Sequence, residues 1–337
     1  MMIRLFVLFA CLAGLPICGA VFAADAQTSA KPTLILVKGA AGEEEYAKQF
    51  SDWCSHWQKG AEKAQMNIIK VGFDDISAAD KQHSTDKELL SQGLEKEPKT
   101  GPAELWLVLI GHGTFDGKEA KFNLRGPDFS ATELAKWLEP FQRPLAIIDT
   151  SAASAPFLNK LSGKNRIIIT STRSGHEQNF SHFGQYLSEV IADPAADLDK
   201  DGQTSLLEAW LLASRRLTAF YEADHRLATE HPLLDDNGDG HGTPPDWFRG
   251  IYATKKSNDN SALDGIRAHQ WHLVRGGSEQ QWPAEMRARR DQLESAIIDL
   301  RQAKSKFSED EYYKKLENYL TDMALLYEQQ STNKIKK

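Results

Sequence analysis

The sequence predicts an α/β protein: a mainly parallel sheet with helices on both faces, followed by a C-terminal helical hairpin. Three observations carry this. Short apolar runs rich in branched residues, at 33–37, 67–71, 105–110, 145–148 and 166–170, alternate with stretches whose apolar residues recur at helical spacing. Two of the runs deliver polar residues at their C-terminal ends: Gly111-His112-Gly113-Thr114 after the third, and Asp149-Thr150-Ser151-Ala152-Ala153-Ser154-Ala155 after the fourth. Beyond Gly250 the strand signal stops and two long amphipathic stretches follow.

The elements follow in order. The run at 33–37 ends in Gly39-Ala40-Ala41-Gly42, and a helix over about 43–63 carries Phe50, Trp53, Cys54 and Trp57 at helical spacing. A strand at 67–71 precedes a helix over about 85–94, which turns Leu89, Leu90 and Leu94 inward. After the strand at 105–110, the glycine-containing stretch 115–129 reads as a hairpin or loop. Ser130 with Glu133 then opens a helix in the capping-box manner. The strand at 145–148, a helix around 157–161 and the strand at 166–170 complete the sheet.

The chain opens with Arg4, an apolar run from Leu5 to Val21, and Val21-Phe22-Ala23, small at the two positions a signal peptidase reads. Residues 1–23 are expected to be a secretory signal peptide, which implies an exported protein, periplasmic or extracellular. Ile17-Cys18 is only a faint lipoprotein box, because Ile17 is large. Cys11 and Cys18 leave with the signal, so Cys54 is the remaining thiol and no intrachain disulfide is available. Cys54 reads as a buried structural cysteine.

The 337 residues, 41% hydrophobic and 26% charged, suffice for one substantial core and an appendage. The net charge of −7, one unit more negative without Arg4, argues against nucleic acid as a partner, because phosphate binding needs a basic surface. After the signal no apolar run is long enough to span a bilayer, so no transmembrane span is expected. Residues 251–282 read as a linker and irregular segment, with 255–261 its polar core. Residues 283–330 read as a helical hairpin in the coiled-coil manner. Its first stripe is Met286, Leu293, Ile297 and Leu300; its second is Leu316, Leu320, Met323 and Leu326, behind a Ser308/Glu311 start signal. Such a hairpin serves as a buttress, as a homodimerisation arm or as a docking module.

Two acidic loops have cation chemistry. Asp197, Asp199, Asp201, the Gln203 carbonyl, Ser205 and Glu208 occupy positions one, three, five, seven, nine and twelve of an EF-hand loop, with Gly202 at the sharp turn. Calcium takes six to eight hard oxygens, and this spacing supplies them, so Ca2+ is expected here in a structural role. A second loop holds Asp235, Asn237, Asp239 and Asp246 at the corresponding spacing. Pro244 and Pro245 stand where an exiting helix belongs, which leaves a solvated acidic turn and a cation site as equal readings.

The His-Gly pair at one strand end and the Asp149 to Phe157 segment at the next resemble the caspase-like (clan CD) cysteine peptidases, closest to the legumain-type C13 peptidases. The resemblance covers about residues 32–250 and implies a caspase-like sheet and a peptide or protein ligand. It places His112 as the catalytic base, Gly113 as an oxyanion donor through its backbone, and Ser151 where the family has its nucleophilic cysteine. Moving the alignment by one residue puts Ala152 there instead, so the thiol is absent in either register. Asp149 matches the family's acidic residue beside the nucleophile, and Arg173 and Glu177, with His176, are expected to line the same edge for binding. Glu45-Tyr46-Ala47 stands where legumain-like enzymes carry an Asn-x-Arg element.

A hydroxyl is a far weaker nucleophile than a thiolate without a strong, well-oriented base. The resulting expectation is a pseudopeptidase that binds a peptide or protein. The alternatives are an active hydrolase using a Ser151–His112 dyad, and a scaffold in which His112 holds a loop and Ser151 caps a helix.

Overall fold

The computed structural model describes residues 31–73, 84–277 and 279–335. The predicted signal peptide, with Cys11 and Cys18, lies outside the described residues.

Strand β1 (Thr33–Lys38) leads into helix α1 (Glu44–Lys63), then β2 (Asn67–Val71), α2 (Asp86–Lys96) and β3 (Leu105–Ile110). A small antiparallel sheet of β4 (Gly113–Phe115), β5 (Ala120–Phe122) and β6 (Phe129–Ser130) stands where a hairpin or loop is expected. Helix α3 (Ala131–Leu138), β7 (Leu145–Asp149), α4 (Ala155–Leu161) and β8 (Arg166–Thr170) follow. Helices α5 (Phe183–Val190) and α6 (Leu206–Ala223) then lead to β9 (Leu233–Asp235).

The central sheet runs β2-β1-β3-β7-β8-β9, parallel throughout except for β9, which pairs antiparallel with β8. The period of two in the strands explains the two layers. On one face Leu34, Leu36, Trp106, Val108, Ile148 and Ile169 pack against α1, α5 and α6. On the other, Ile35, Val37, Leu107, Leu109, Ile147 and Ile168 meet α2, α3 and α4. Burial on both faces is why these strands read as continuous apolar runs.

Beyond Gly250 the expected boundary shifts. The pair β10 (Phe248–Arg249) and β11 (Tyr252–Ala253) straddles it, and the short helix α7 (Ile266–His269) packs back on α6. Ala268, Trp271 and Leu273 join the main core. The segment read as linker therefore packs in part on the sheet domain, through these three buried residues; its polar core at 255–261 lies largely at the surface. Helices α8 (Ala284–Gln302) and α9 (Glu309–Ile335) form the predicted hairpin. Leu293, Leu300, Tyr312 and Leu326 are buried, while Leu320 and Leu325 are about half exposed.

Candidate functional site

Parallel strands place their C-terminal ends together, and the register does so here: Lys38 stands beside Ile110, Leu109 beside Asp149, and Asp149 beside Thr170. The loops after β1, β3, β7 and β8 therefore share one edge of the sheet, where ligand chemistry concentrates in such folds.

The imidazole of His112 is held by aromatic rings. Tyr46, Phe50 and Phe180 lie with ring centroids 4.9, 5.1 and 5.8 Å away, all edge-on. Its Nε2 is 3.1 Å from the Ala41 carbonyl. A carbonyl only accepts, so Nε2 is the donor in this contact. The group that orients this imidazole, invisible as a motif, is thus a backbone carbonyl from the loop after β1.

Ser151 lies in the next loop, fully buried. Its hydroxyl donates to Asp149 Oδ1 at 2.6 Å, its amide donates to the same oxygen at 3.0 Å, and the Ala152 carbonyl is 3.3 Å from Oγ. No hydrogen bond joins it to His112 among the described contacts. Gly113 packs directly on this loop: a Cβ there would meet the Ala152 carbonyl at 2.1 Å and Ser151 Oγ at 2.7 Å. The glycine is required by that close approach, which also seats the residue after His112 against Ser151.

Asp149, expected to contact ligand, is fully buried beneath Ser151, and burial pushes its carboxyl up to about 7 although the Ser151 hydroxyl and amide draw it down. Its Oδ2 has no hydrogen-bond partner. Asp149 is the last residue of a central strand, and its carboxylate turns to the Ser151 segment, with which it is buried. A hydroxyl network fixes the rest of the turn. Ser171 donates to the Ser151 carbonyl, and Ser154 Oγ lies 3.1 Å from Ser171 Oγ and 3.2 Å from Thr172 Oγ1. Ala153 takes a left-handed φ of 55°, and its amide donates to the Glu177 carbonyl at 2.8 Å.

Arg173 and Glu177 do meet: Nε to Oε1 is 3.2 Å, and the Arg173 amide donates to Oε2 at 3.0 Å. His231 joins them, with Nδ1 2.6 Å from Glu177 Oε1. In the sequence His231 stands among scattered histidines near acidic loops, with no motif that ties it to Glu177. Arg173 and His231 border a cavity of about 740 Å³ whose walls include Leu217, Tyr221, Leu233 and Trp247. Cys54 is buried in the core, and burial pushes its thiol up to about 12.

Of the first acidic loop, Asp197, Asp199 and Glu208 each place an oxygen within 4.8 Å of the others. Asp201 is not in this group; its oxygens accept from the Gln203 amide at 2.9 Å and from Gln203 Nε2 at 3.1 Å. Ser205 accepts from the Glu208 amide and caps α6. The Asp199 carboxyl is raised by burial and by the charges of Glu208 and Asp201.

The second loop gathers no such group among the described residues. Asp235 accepts from the amides of Gly238 and Gly240, Asn237 Oδ1 accepts from the Asp239 amide, and Asp246 sits exposed in the 3-10 turn after Pro244. Asp235, Asn237 and Asp239 close a turn through these backbone contacts, and Asp246 lies apart from them. Its neighbour Asp236 has a buried acidic partner, Asp264, whose carboxyl is pushed up to about 8 by burial and by Asp236.

Among the described residues no helix is long and apolar enough to cross a membrane. No protein-family model matches the chain, and no curated protein does. Among solved structures it is similar to the Drosophila initiator caspase Dronc, at 15% identity and a TM-score of 0.38, covering 64% of this chain and 82% of that one. It is also similar to caspase-1 from Spodoptera frugiperda, at 10% identity and a TM-score of 0.35, over 61% and 86% of the two chains. A protein from Geobacter sulfurreducens matches at 11% identity and a TM-score of 0.35, over 61% and 92%.

Proposed function

We propose that this protein is an exported homologue of the caspase-like peptidases, of the legumain type, that binds a peptide or protein without cleaving it. The observation that carries the reading is the state of Ser151, which stands at the nucleophile position. It is fully buried, and its hydroxyl proton is donated to Asp149 at 2.6 Å rather than to an imidazole. Attack on a carbonyl needs an accessible oxygen and a base within hydrogen-bond reach of its proton. Asp149, itself fully buried, is a weak replacement for His112 as a proton shuttle to a leaving group.

The binding half rests on the cavity beside the site. Arg173 and His231 supply polar lining, and Leu217, Tyr221, Leu233 and Trp247 supply apolar wall, the mixture a peptide side chain requires. Export rests on the N-terminal charge, apolar run and small-residue pattern.

The test uses the chain lacking residues 1–23. A denatured protein mixture incubated with it in calcium should remain intact, while selection from a displayed peptide library should enrich a consensus whose affinity falls about tenfold in Leu217→Trp, which fills the cavity. Cleavage abolished by Ser151→Ala would establish the hydrolase instead, and no enrichment would remove the binding reading.

A further inference from the structure

The loop at 197–208 has the internal geometry of a cation loop, not only its spacing. Lys200 and Gly202, its fourth and sixth residues, take left-handed φ values of 66° and 94°, and the Gly202 amide donates to Asp197 Oδ2 at 3.1 Å. Three carboxylates converge, from Asp197, Asp199 and Glu208. The independent sign is Asp197 itself: it is 9% exposed, and its Oδ1 is buried with no hydrogen-bond partner. An ionised carboxylate oxygen only accepts, and burying it without a donor is costly unless a cation takes it. Oxygen donors at twelve-residue spacing select a hard ion of the size of calcium.

The loop is also the place where the C-terminal hairpin joins the sheet domain. Gln203 Oε1 accepts from the Gly276 amide at 3.2 Å while Gln203 Nε2 donates to Asp201 at 3.1 Å. At Gly276 a Cβ would meet the Gly202 carbonyl at 2.8 Å, so the chain entering the hairpin lies directly on the loop. His269 Nε2 is 3.5 Å from Asp199, and its neighbour Gln270 donates to the Asp291 carbonyl in α8 at 2.8 Å. Leu198 faces Glu294, Ile297 and Leu320 across a cavity of about 470 Å³.

We propose that the 197–208 loop binds one calcium ion through Asp197, Asp199 and Glu208, and that this ion braces the junction between the sheet domain and the C-terminal hairpin. The coupling runs through Gln203. Its side chain bridges Asp201 of the loop and the Gly276 amide, so ordering the loop orders the segment at 276. The proposal stands independently of the peptide-binding reading.

The test is calorimetric titration of the chain lacking residues 1–23 with calcium chloride, followed by hydrogen exchange with calcium and with a chelator. One site is expected, with a dissociation constant on the order of 10⁻⁵ to 10⁻³ M, the range spanned by weak sensors and extracellular modules. Asp199→Asn, at an exposed position, and Glu208→Gln should each weaken it at least tenfold, and calcium should slow exchange in α8 at least several-fold. Absence of binding, or binding that survives Asp199→Asn and disappears in Asp235→Asn, would overturn the site. Binding with unchanged exchange in α8 would overturn the brace.

Discussion

Burial pushes the Asp149 carboxyl up to about 7, far above the ordinary range, with the Ser151 hydroxyl and amide pulling the other way. A raised folded-state value means that the folded chain holds this proton more tightly than the unfolded chain between about pH 4 and 7. The associated stability is fully present below about pH 4 and is lost as pH rises towards 7. Asp149→Asn is neutral at every pH, so its melting temperature minus that of the wild type should increase from pH 5 to pH 8. A difference that does not change with pH would show that Asp149 is hydrated. Cys54 illustrates the same physics with a different readout. Its buried thiol is pushed up to about 12, so a thiol reagent at pH 8 should react only after the chain is unfolded with denaturant. Rapid reaction of the native chain would place Cys54 outside the core.

Elements follow the local signals closely where those signals have a mechanism. The hydroxyl of Ser130 accepts from the Glu133 amide and the Glu133 carboxylate accepts from the Ser130 amide, a reciprocal cap at the start of α3 that the four-residue spacing announced. Ser130→Ala should therefore cost about 1 kcal/mol, read from denaturant midpoints at constant slope. A loss indistinguishable from zero would mean that packing alone holds α3. The parallel strands were equally legible, because burial on both faces writes itself as an uninterrupted apolar run.

The small strand β9 was not legible. It adds three residues to the sheet edge, and its position is set by pairing with Ile168, Ile169 and Thr170 rather than by its own pattern. With it went His231, which only tertiary structure brings to Glu177. The same limit explains Asp149 and Ser151. Their spacing within one loop was plain, but which way a side chain turns at a strand end depends on the layer beneath it. The carbonyl of Ala41 that orients His112 leaves no trace in the sequence, since every residue has one.

At the scale of the molecule, one sheet domain presents two candidate sites at different places. The edge at the C-terminal ends of the strands holds His112, the Ser151 turn and the neighbouring cavity, while the 197–208 loop lies where the C-terminal hairpin docks. The stretch 262–274, read from sequence as irregular, contributes Ala268, Trp271 and Leu273 to the core. A ligand that binds only the folded chain raises its stability by mass action, so calcium at about one hundred times its dissociation constant should add about 2.7 kcal/mol and raise the melting temperature by several degrees. An identical melting curve in calcium and in chelator would argue against the ion.

The central claim is that the Ser151 hydroxyl is spent on Asp149 and is no nucleophile. A serine-reactive fluorophosphonate, followed by mass spectrometry of the intact chain, tests it most directly. The wild type should form no adduct beyond the background of Ser151→Ala. A stoichiometric adduct on Ser151 that disappears in His112→Ala would contradict the account and show a working dyad.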